Sequence, residues 1–265
     1  MPDSTRAIDE RFEVALSAAR CAGRLALDYF ARATSLDVEH KGTQDLVSEA
    51  DRETEHLITR ELLSAFPGDA FVGEEHGLTS GHAGAGTWVV DPIDGTQPFL
   101  LGLPTWCISI AYADTDGVQV GVVYNPVTDE TYAARRGAGA TRNGTAIQVR
   151  AASALSEGLT GVGCSPRTQP DDLAEIMRRL LNAGGMYQRT GSGALNLAYV
   201  AAGQLIGYVE MHIHAWDCLA AVCLIEEAGG TVSPFLADHG VSGAGPLIAG
   251  SPGVYRALCE LLPPH

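Results

Sequence analysis

The spacing of hydrophobic and polar positions predicts a chain that mixes helices and strands along its whole length. Apolar and small residues recur at helical spacing over 11–33, and apolar residues recur in the same way over 48–66. Ser48, with Asp51 three residues on, gives this second helix a start that resembles a capping box. A shorter apolar run at 88–90 has the length of a buried strand instead.

The same pattern divides the chain into two halves. Residues from about 1 to 150 predict helices followed by antiparallel strands, with a hairpin turn at Asn143-Gly144. Residues from about 151 to 265 predict helices and strands in alternation, which is typical of α/β proteins. We find no internal repeat and no clear linker, so we expect one domain made of these two halves. The other predicted strands and helices are 70–72, 103–112, 118–124, 130–134, 158–163, 171–182, 186–189, 191–202, 205–210, 215–228, 247–249 and 252–262.

Composition and charge narrow the classes of protein that the chain can belong to. Hydrophobic residues make up 46% of the sequence, yet no apolar stretch is long enough to span a bilayer, so no membrane partner is expected. The first ten residues do not form a signal peptide, which predicts a cytoplasmic protein. The net charge of −15 argues against nucleic-acid binding, which needs a basic surface. The six cysteines include no Cys-x-x-Cys pair, so a zinc site has little support.

Two carboxylates follow the apolar run at 88–90. Pro92 cannot donate to a sheet ladder, so we expect this strand to end near Asp91, with Asp94 on a turn beyond it. Ligand sites gather at the carboxyl ends of strands in open α/β sheets, and two hard oxygen donors suit Mg²⁺ or Mn²⁺. A helix beginning near Thr96 would present free N–H groups to a phosphate. Asp-Pro and Asp-Gly pairs are also common in ordinary turns, so the two acids taken alone fit either interpretation.

Further acids come at the ends of other predicted elements. Asp51 and Asp217 each lie in the first turn of a predicted helix, where an acid can simply complement the helix dipole. Glu74 and Glu75 follow the strand at 70–72, and adjacent side chains point to opposite faces, so one of them can face a site. Both can equally be solvated loop acids. Glu210 ends another predicted strand and is a candidate by position only.

Five separated stretches of the chain together resemble the inositol monophosphatase family, which is Mg²⁺-dependent and lithium-sensitive. The central stretch reads Asp-Pro-Ile-Asp-Gly-Thr at 91–96, and the resemblance covers nearly the whole chain. It implies an α/β fold of the layered αβαβα sandwich type and a homodimer. The five matching stretches are 45–51, 73–75, 88–96, 191–195, and 216–217 followed by 227–230.

The resemblance also implies a set of metal ligands, with two to three Mg²⁺ ions and Mn²⁺ as a possible substitute. Glu74, Asp91 and the carbonyl of Ile93 match the first metal site. Asp91, Asp94 and Asp217 match the second, and Glu74 also matches a third, weaker one. One carboxylate can bridge two metals because it has two oxygens.

The remaining matched residues imply roles in catalysis and in substrate binding. Asp51 and Thr96 match the pair that positions and activates the attacking water, with Glu74 as a further catalytic residue. The N–H groups of Gly95 and Thr96, next to Asp94, match the phosphate cradle. The positions that match contacts to the hydroxylated part of the substrate are Gly191, Ser192, Gly193 and Glu210.

The implied function is phosphomonoester hydrolysis of a small phosphorylated metabolite by metal-activated water. Inositol 1-phosphate is the first candidate substrate. Inositol-specific members usually have Asn where this chain has Pro98, and often Gly where it has His212, so histidinol phosphate, fructose 1,6-bisphosphate and 3′-phosphoadenosine 5′-phosphate stay open. Some members act instead as regulators that bind proteins or RNA machinery. The presence of every metal-binding acid favours an enzyme over that role.

Overall fold

A computed structural model describes residues 2–32, 38–42 and 45–263 of the chain. Eight α-helices and one short 3₁₀ helix, Leu155–Glu157, occur within these ranges. None of these helices combines the length and the apolar character that crossing a membrane requires. The helices are α1 (Pro2–Phe30), α2 (Glu49–Ala65), α3 (Thr96–Leu100), α4 (Pro170–Asn182), α5 (Gly193–Ala201), α6 (Ala215–Glu227), α7 (Phe235–His239) and α8 (Pro252–Cys259).

The strands in the described ranges form three sheets. A two-stranded hairpin joins β1 (Val38–Gly42) to β2 (Asp45–Ser48). The first large sheet is built from β3 (Ala70–Gly73), β4 (Gly77–Thr79), β5 (Thr87–Asp94), β6 (Cys107–Asp114), β7 (Gly117–Asn125), β8 (Glu130–Arg135), β9 (Ala140–Arg142) and β10 (Thr145–Ile147). The second is built from β11 (Leu159–Val162), β12 (Met186–Gln188), β13 (Gly207–His214), β14 (Thr231–Val232) and β15 (Ala244–Gly250).

Both large sheets are mixed. The eight-stranded sheet has the order β10-β9-β8-β7-β6-β5-β3-β4, in which β3 and β5 run parallel and the other neighbours run antiparallel. The five-stranded sheet has the order β12-β11-β13-β15-β14, in which β11 is parallel to both of its neighbours. The hairpin turn predicted at Asn143-Gly144 joins β9 to β10, and both residues have the positive φ that a tight hairpin turn needs.

The helices and the two large sheets stack in five layers. Helices α1 and α2 cover the outer face of the eight-stranded sheet, with small buried residues of α1 such as Ala19 and Ala22 allowing a close approach. Helices α5 and α6 lie between the two sheets and bury apolar side chains against both. Helices α4 and α8 cover the outer face of the five-stranded sheet. This arrangement confirms the αβαβα sandwich; the division into halves near residue 150 stays a prediction.

The clearest difference from the sequence prediction is the length of β5. The strand continues through Pro92 to Asp94, and its pairing with β6 shifts register between Asp91, opposite Ser109, and Asp94, opposite Cys107. Three residue steps on β5 therefore match two on β6, which is a β-bulge. Proline is tolerated in a sheet at a bulge because no ladder hydrogen bond is required of it there. The expectation that Pro92 ends the strand was wrong for this reason.

Smaller differences concern element ends and short elements. The first helix begins at Pro2, nine residues before the predicted start, because the sequence before Arg11 carries little of the apolar periodicity that the prediction used. The sequence did not predict β4 or α7, since elements of three and five residues have too few positions for a periodic pattern. Helix α2 begins at Glu49, as the capping-box pattern expected, but the side chain of Ser48 lies outside the described residues.

Candidate metal and phosphate site

Three carboxylates converge where β5 meets the start of α6. Asp91 and Asp94 lie three positions apart, so a regular strand would point them to opposite faces of the sheet. The bulge inserts one extra residue between them and allows both to face the same side. Asp217, in the first turn of α6, completes the group, and one oxygen from each of the three acids lies within 4.8 Å of the others.

The three acids are held in an environment that disfavours their charge. Burial, together with the charges of Glu74, Asp94 and Asp217, raises the pKa of Asp91 well above its ordinary value. Burial raises the pKa of Asp94 to about 6, and burial with repulsion from Asp94 raises the pKa of Asp217 to about 7. Like-charged carboxylates in a low dielectric repel one another strongly unless a cation lies between them.

This donor set fits a hard divalent cation. The oxygens are carboxylates, which Mg²⁺ and Mn²⁺ prefer, and a bound cation would remove the repulsion that raises their pKa values. Glu74 lines the same cavity and acts electrostatically on Asp91. The N–H of Ile93 donates to Asp91 at 2.9 Å, which orients one carboxylate oxygen. Four predicted acid ligands and the Ile93 backbone are therefore in one place; their role as ligands stays a prediction.

The predicted water-activating pair is also assembled. Thr96 Oγ1 lies 3.3 Å from Asp51 Oδ1 and 3.3 Å from the carbonyl of Ile93. Asp51 is 1% exposed and belongs to α2, 45 residues before Thr96 in the sequence. Gly95 has φ = +98° immediately before α3, and a Cβ there would lie 3.1 Å from the carbonyl of Thr105. Glycine is therefore favoured at this turn by both conformation and space.

Asp94 has a second set of partners that the sequence did not reveal. Its Oδ2 accepts hydrogen bonds from Ser192 Oγ at 2.5 Å and from the N–H of Ala194 at 2.7 Å. Its Oδ1 accepts from the N–H of Gly193 at 3.3 Å. Ser192 is the N-cap residue of α5, so this carboxylate fastens β5 to the start of a helix in the middle layer. Gly191, Ser192 and Gly193 also line the cavity, where the sequence placed the substrate.

The acids open into a cavity of about 540 Å³. Glu210, only 6% exposed, lies at its wall and accepts a hydrogen bond from Tyr208 at 2.5 Å. Burial raises the pKa of Glu210 to about 8, so this carboxyl is protonated at neutral pH in the absence of a cation. Arg167 and Arg189 also line the cavity. Neither arginine could be recognised as a site residue from the sequence, because both are exposed and lie outside any motif.

The two departures from the inositol-specific pattern have different positions. Pro98 is buried in α3, and a Cβ on Gly191 would lie 2.7 Å from its ring, so the proline packs beneath the cavity wall. His214 and Trp216 stack with ring centroids 4.4 Å apart and line the cavity. His212 is not among the described lining residues; its ring packs edge-on against His214. His212 is linked to the cavity wall in two ways, by this ring contact with His214 and by its electrostatic interaction with Arg167.

Comparison with known proteins gives a consistent result. The sequence model of the inositol monophosphatase family matches residues 7–263. The chain is 38% identical over 250 residues to an inositol-1-monophosphatase of Mesorhizobium japonicum, covering 93% of this chain and 94% of that protein. It is 36% identical over 259 residues to the Nus factor SuhB of Pseudomonas aeruginosa, covering 95% of each. An inositol monophosphatase structure from Thermotoga maritima superposes with a TM-score of 0.84 at 31% identity, covering 95% of this chain and 96% of that one.

Proposed function

Because the chain belongs to the inositol monophosphatase family, we propose that it is a Mg²⁺-dependent phosphomonoesterase that acts on a small hydroxylated phosphate ester. Inositol 1-phosphate is the first candidate substrate. The observation that carries the proposal is the convergence of Asp91, Asp94 and Asp217, which have oxygens within 4.8 Å of one another, next to the cavity that Asp94 and Asp217 line. The family and its inositol-1-monophosphatase relatives support a phosphatase.

We assign the metal-holding role to Glu74, Asp91, Asp94, Asp217 and the carbonyl of Ile93. A bound divalent cation would supply Lewis-acid stabilisation of the negative charge on the phosphate. In a protein of net charge −15, the same cation is also what allows an anionic substrate to approach these acids.

The chain itself supplies the base that activates water. The hydroxyl of Thr96 and the carboxylate of Asp51 lie within hydrogen-bonding reach of each other, so a water placed against Thr96 can pass its proton towards Asp51. The oxygen of that water then attacks phosphorus while the bond to the leaving alkoxide breaks, and the alkoxide takes a proton from solvent and departs as the alcohol. The N–H groups of Gly95 and Thr96 hold the phosphate oxygens in place, and no covalent intermediate with the protein is needed.

The other end of the cavity binds the hydroxylated part of the substrate. A volume of about 540 Å³ is typical of small-molecule sites. Glu210 can accept a hydrogen bond from a substrate hydroxyl as a carboxylate, and its protonated form can also donate one. Ser192 and Gly193 lie along the same wall. We also propose that the protein is a cytoplasmic homodimer inhibited by lithium, which gel filtration and a Li⁺ titration would check.

The proposal is tested by measuring phosphate release from inositol, histidinol, sugar and nucleotide phosphates, with Mg²⁺ and with EDTA. Wild type should release phosphate only with Mg²⁺, and Asp217→Asn should abolish release while it stays folded. Asp116→Asn, which changes an exposed acid in the turn between β6 and β7, is the matched control and should match wild type. Release that persists in EDTA or in Asp217→Asn would overturn the metal mechanism.

Relatives named Nus factor SuhB favour a second candidate, a regulatory member that binds proteins or RNA machinery. One observation separates it from the enzyme. If no phosphate in the panel is hydrolysed, although the protein is folded and binds Mg²⁺, the regulatory role becomes the better interpretation. Binding to nucleic acid or to transcription proteins would then be the property to measure.

A further inference from the structure

Glu55 is a buried acid that none of the roles above uses. It lies on α2, one helical turn after Asp51, and its side chain is 0% exposed. Its two oxygens accept hydrogen bonds from the N–H of Glu75 at 2.9 Å and from the N–H of His76 at 2.8 Å. The Nδ1 of His76 lies 2.5 Å from the same carboxylate. All three contacts come from the turn that follows β3.

Glu74 lies in that turn, and Glu55 contacts the residues on either side of it. Gly73, the last residue of β3, packs so closely on Glu55 that a Cβ would lie 2.4 Å from the carboxyl carbon. Glu74 itself donates its N–H to the carbonyl of Val90 on β5 at 3.3 Å. Glu55 therefore fixes the backbone on both sides of Glu74. Gly73, before Glu74, packs against the Glu55 carboxyl, and the N–H groups after Glu74 donate hydrogen bonds to it.

A carboxylate is chemically suited to this position in a way that its neutral counterpart is not. It offers only acceptors, and every polar group that faces it here can donate. An amide would place an NH₂ group against one of these donors and leave it unsatisfied. A buried charge is a weak source of net stability, because desolvation offsets much of what its hydrogen bonds contribute. Fastening a loop does not by itself explain why an acid is buried here.

We propose that Glu55 is a positioning residue that fixes the turn at 73–76, so that the carboxylate of Glu74 faces Asp91. The inference rests on the proposed function, since it takes Glu74 as a metal ligand. Under this proposal, the first two turns of α2 contribute two residues to the site. Asp51 reaches Thr96, and Glu55, one turn later, orients the ligand-bearing turn.

The experiment measures binding of Mn²⁺ to the full-length protein by electron paramagnetic resonance, without substrate. Glu55→Gln should weaken the apparent Kd about 10–100-fold, which is typical for residues that orient metal ligands. Glu53→Gln makes the same chemical change at an exposed position of the same helix and should bind like wild type. Gly73→Ala, which pushes on the Glu55 carboxyl without removing its charge, should reproduce the loss.

A double-mutant cycle with Glu74→Gln separates positioning from a general structural effect. If Glu55 acts through Glu74, the variant carrying both changes should bind Mn²⁺ no more weakly than Glu74→Gln alone. Losses that add, or a Glu55→Gln protein that has a lower Tm but normal Mn²⁺ binding, would overturn the inference and leave the proposed function intact. If Glu74→Gln binds like wild type, the role of Glu74 in the proposed function is itself wrong, and the inference falls with it.

Discussion

Replacing Glu210 by glutamine should remove part of the pH dependence of stability of the metal-free protein. Glu210 is 6% exposed, and burial is the main cause that raises its pKa from 4.5 to about 8. Repulsion from Asp217 and Asp94 raises it further, while the hydrogen bond from Tyr208 lowers it. The folded state therefore keeps a proton on Glu210 over a pH range in which the unfolded state has lost it.

The sign and size of the effect follow from proton linkage. Because the folded-state pKa is the higher one, Glu210 contributes stability that is fully present below pH 4.5 and is lost as the pH rises through about 8. Between these limits the free energy of unfolding falls by about 1.4 kcal/mol per pH unit from this group alone. From pH 5 to pH 8 the loss is about 3 kcal/mol. Glutamine does not titrate, so the free energy of unfolding of Glu210→Gln should lack this part of the decrease with pH.

The assay is urea unfolding in EDTA at pH 5, 6, 7 and 8 for wild type and for Glu210→Gln. The quantity to follow is the difference between the two free energies of unfolding, because any loss of the Tyr208 hydrogen bond adds an offset that does not vary with pH. Glu53→Gln, at an exposed site, should track wild type. A difference that stays constant from pH 5 to pH 8 would refute the reasoning, since Glu210 would then titrate alike in the folded and unfolded states.

Three further substitutions test other parts of the structure. Gly95→Ala forces alanine to φ = +98° and should cost about 1–2 kcal/mol in urea unfolding, with a loss of activity. Thr96→Val removes the hydroxyl next to Asp51 and should lower kcat about 10²–10⁴-fold, while Mn²⁺ binding by paramagnetic resonance stays unchanged. Asp69→Asn breaks a bidentate contact between the buried Asp69 and the partly exposed Arg11 and should lower the free energy of unfolding by about 3 kcal/mol without altering KM.

The sequence predicted those parts of the site that depend on local chemistry. Asp91 follows a strongly apolar run and Asp217 opens a predicted helix, so their elements could be assigned from the pattern alone, whereas Asp94 was expected on a turn and lies in β5. Their convergence could be expected only through the family resemblance. The bulge that turns Asp91 and Asp94 to one face could not be predicted, because it depends on how β5 pairs with β6.

The missed parts of the site all depend on contacts between distant segments. Glu55 looks like any acid in the middle of a helix, and only the packing of Gly73 against it, 18 residues away, shows that it is buried. Arg167 and Arg189 line the cavity because their segments meet there, and no motif in the sequence marks either one. The bond between Asp94 and Ser192 spans 98 residues. Hydrophobic periodicity reports which face of an element is buried, and it carries no information about which partner covers that face.

The hydrogen bonds of Asp94 also decide which acid gives the clearest test of the metal site. Each carboxylate oxygen can accept about two hydrogen bonds. Oδ2 already accepts from Ser192, from Ala194 and from the thiol of Cys107, whereas Oδ1 accepts one hydrogen bond, from Gly193. One acceptor position on Oδ1 is therefore left for a cation, and the rest of the carboxylate holds β5 against α5. Asn at position 94 would turn an NH₂ group either towards those donors or towards the cation, so it would disturb both functions together. Asp217 accepts a hydrogen bond from the N–H of His214, which an asparagine oxygen can still accept, and its other hydrogen-bond partner is Asp91, itself one of the acids of the cation site. A loss of phosphate release in Asp217→Asn therefore reports on the cation site itself, whereas the same loss in Asp94→Asn would also include the loosening of the contact between the first sheet and the middle helices.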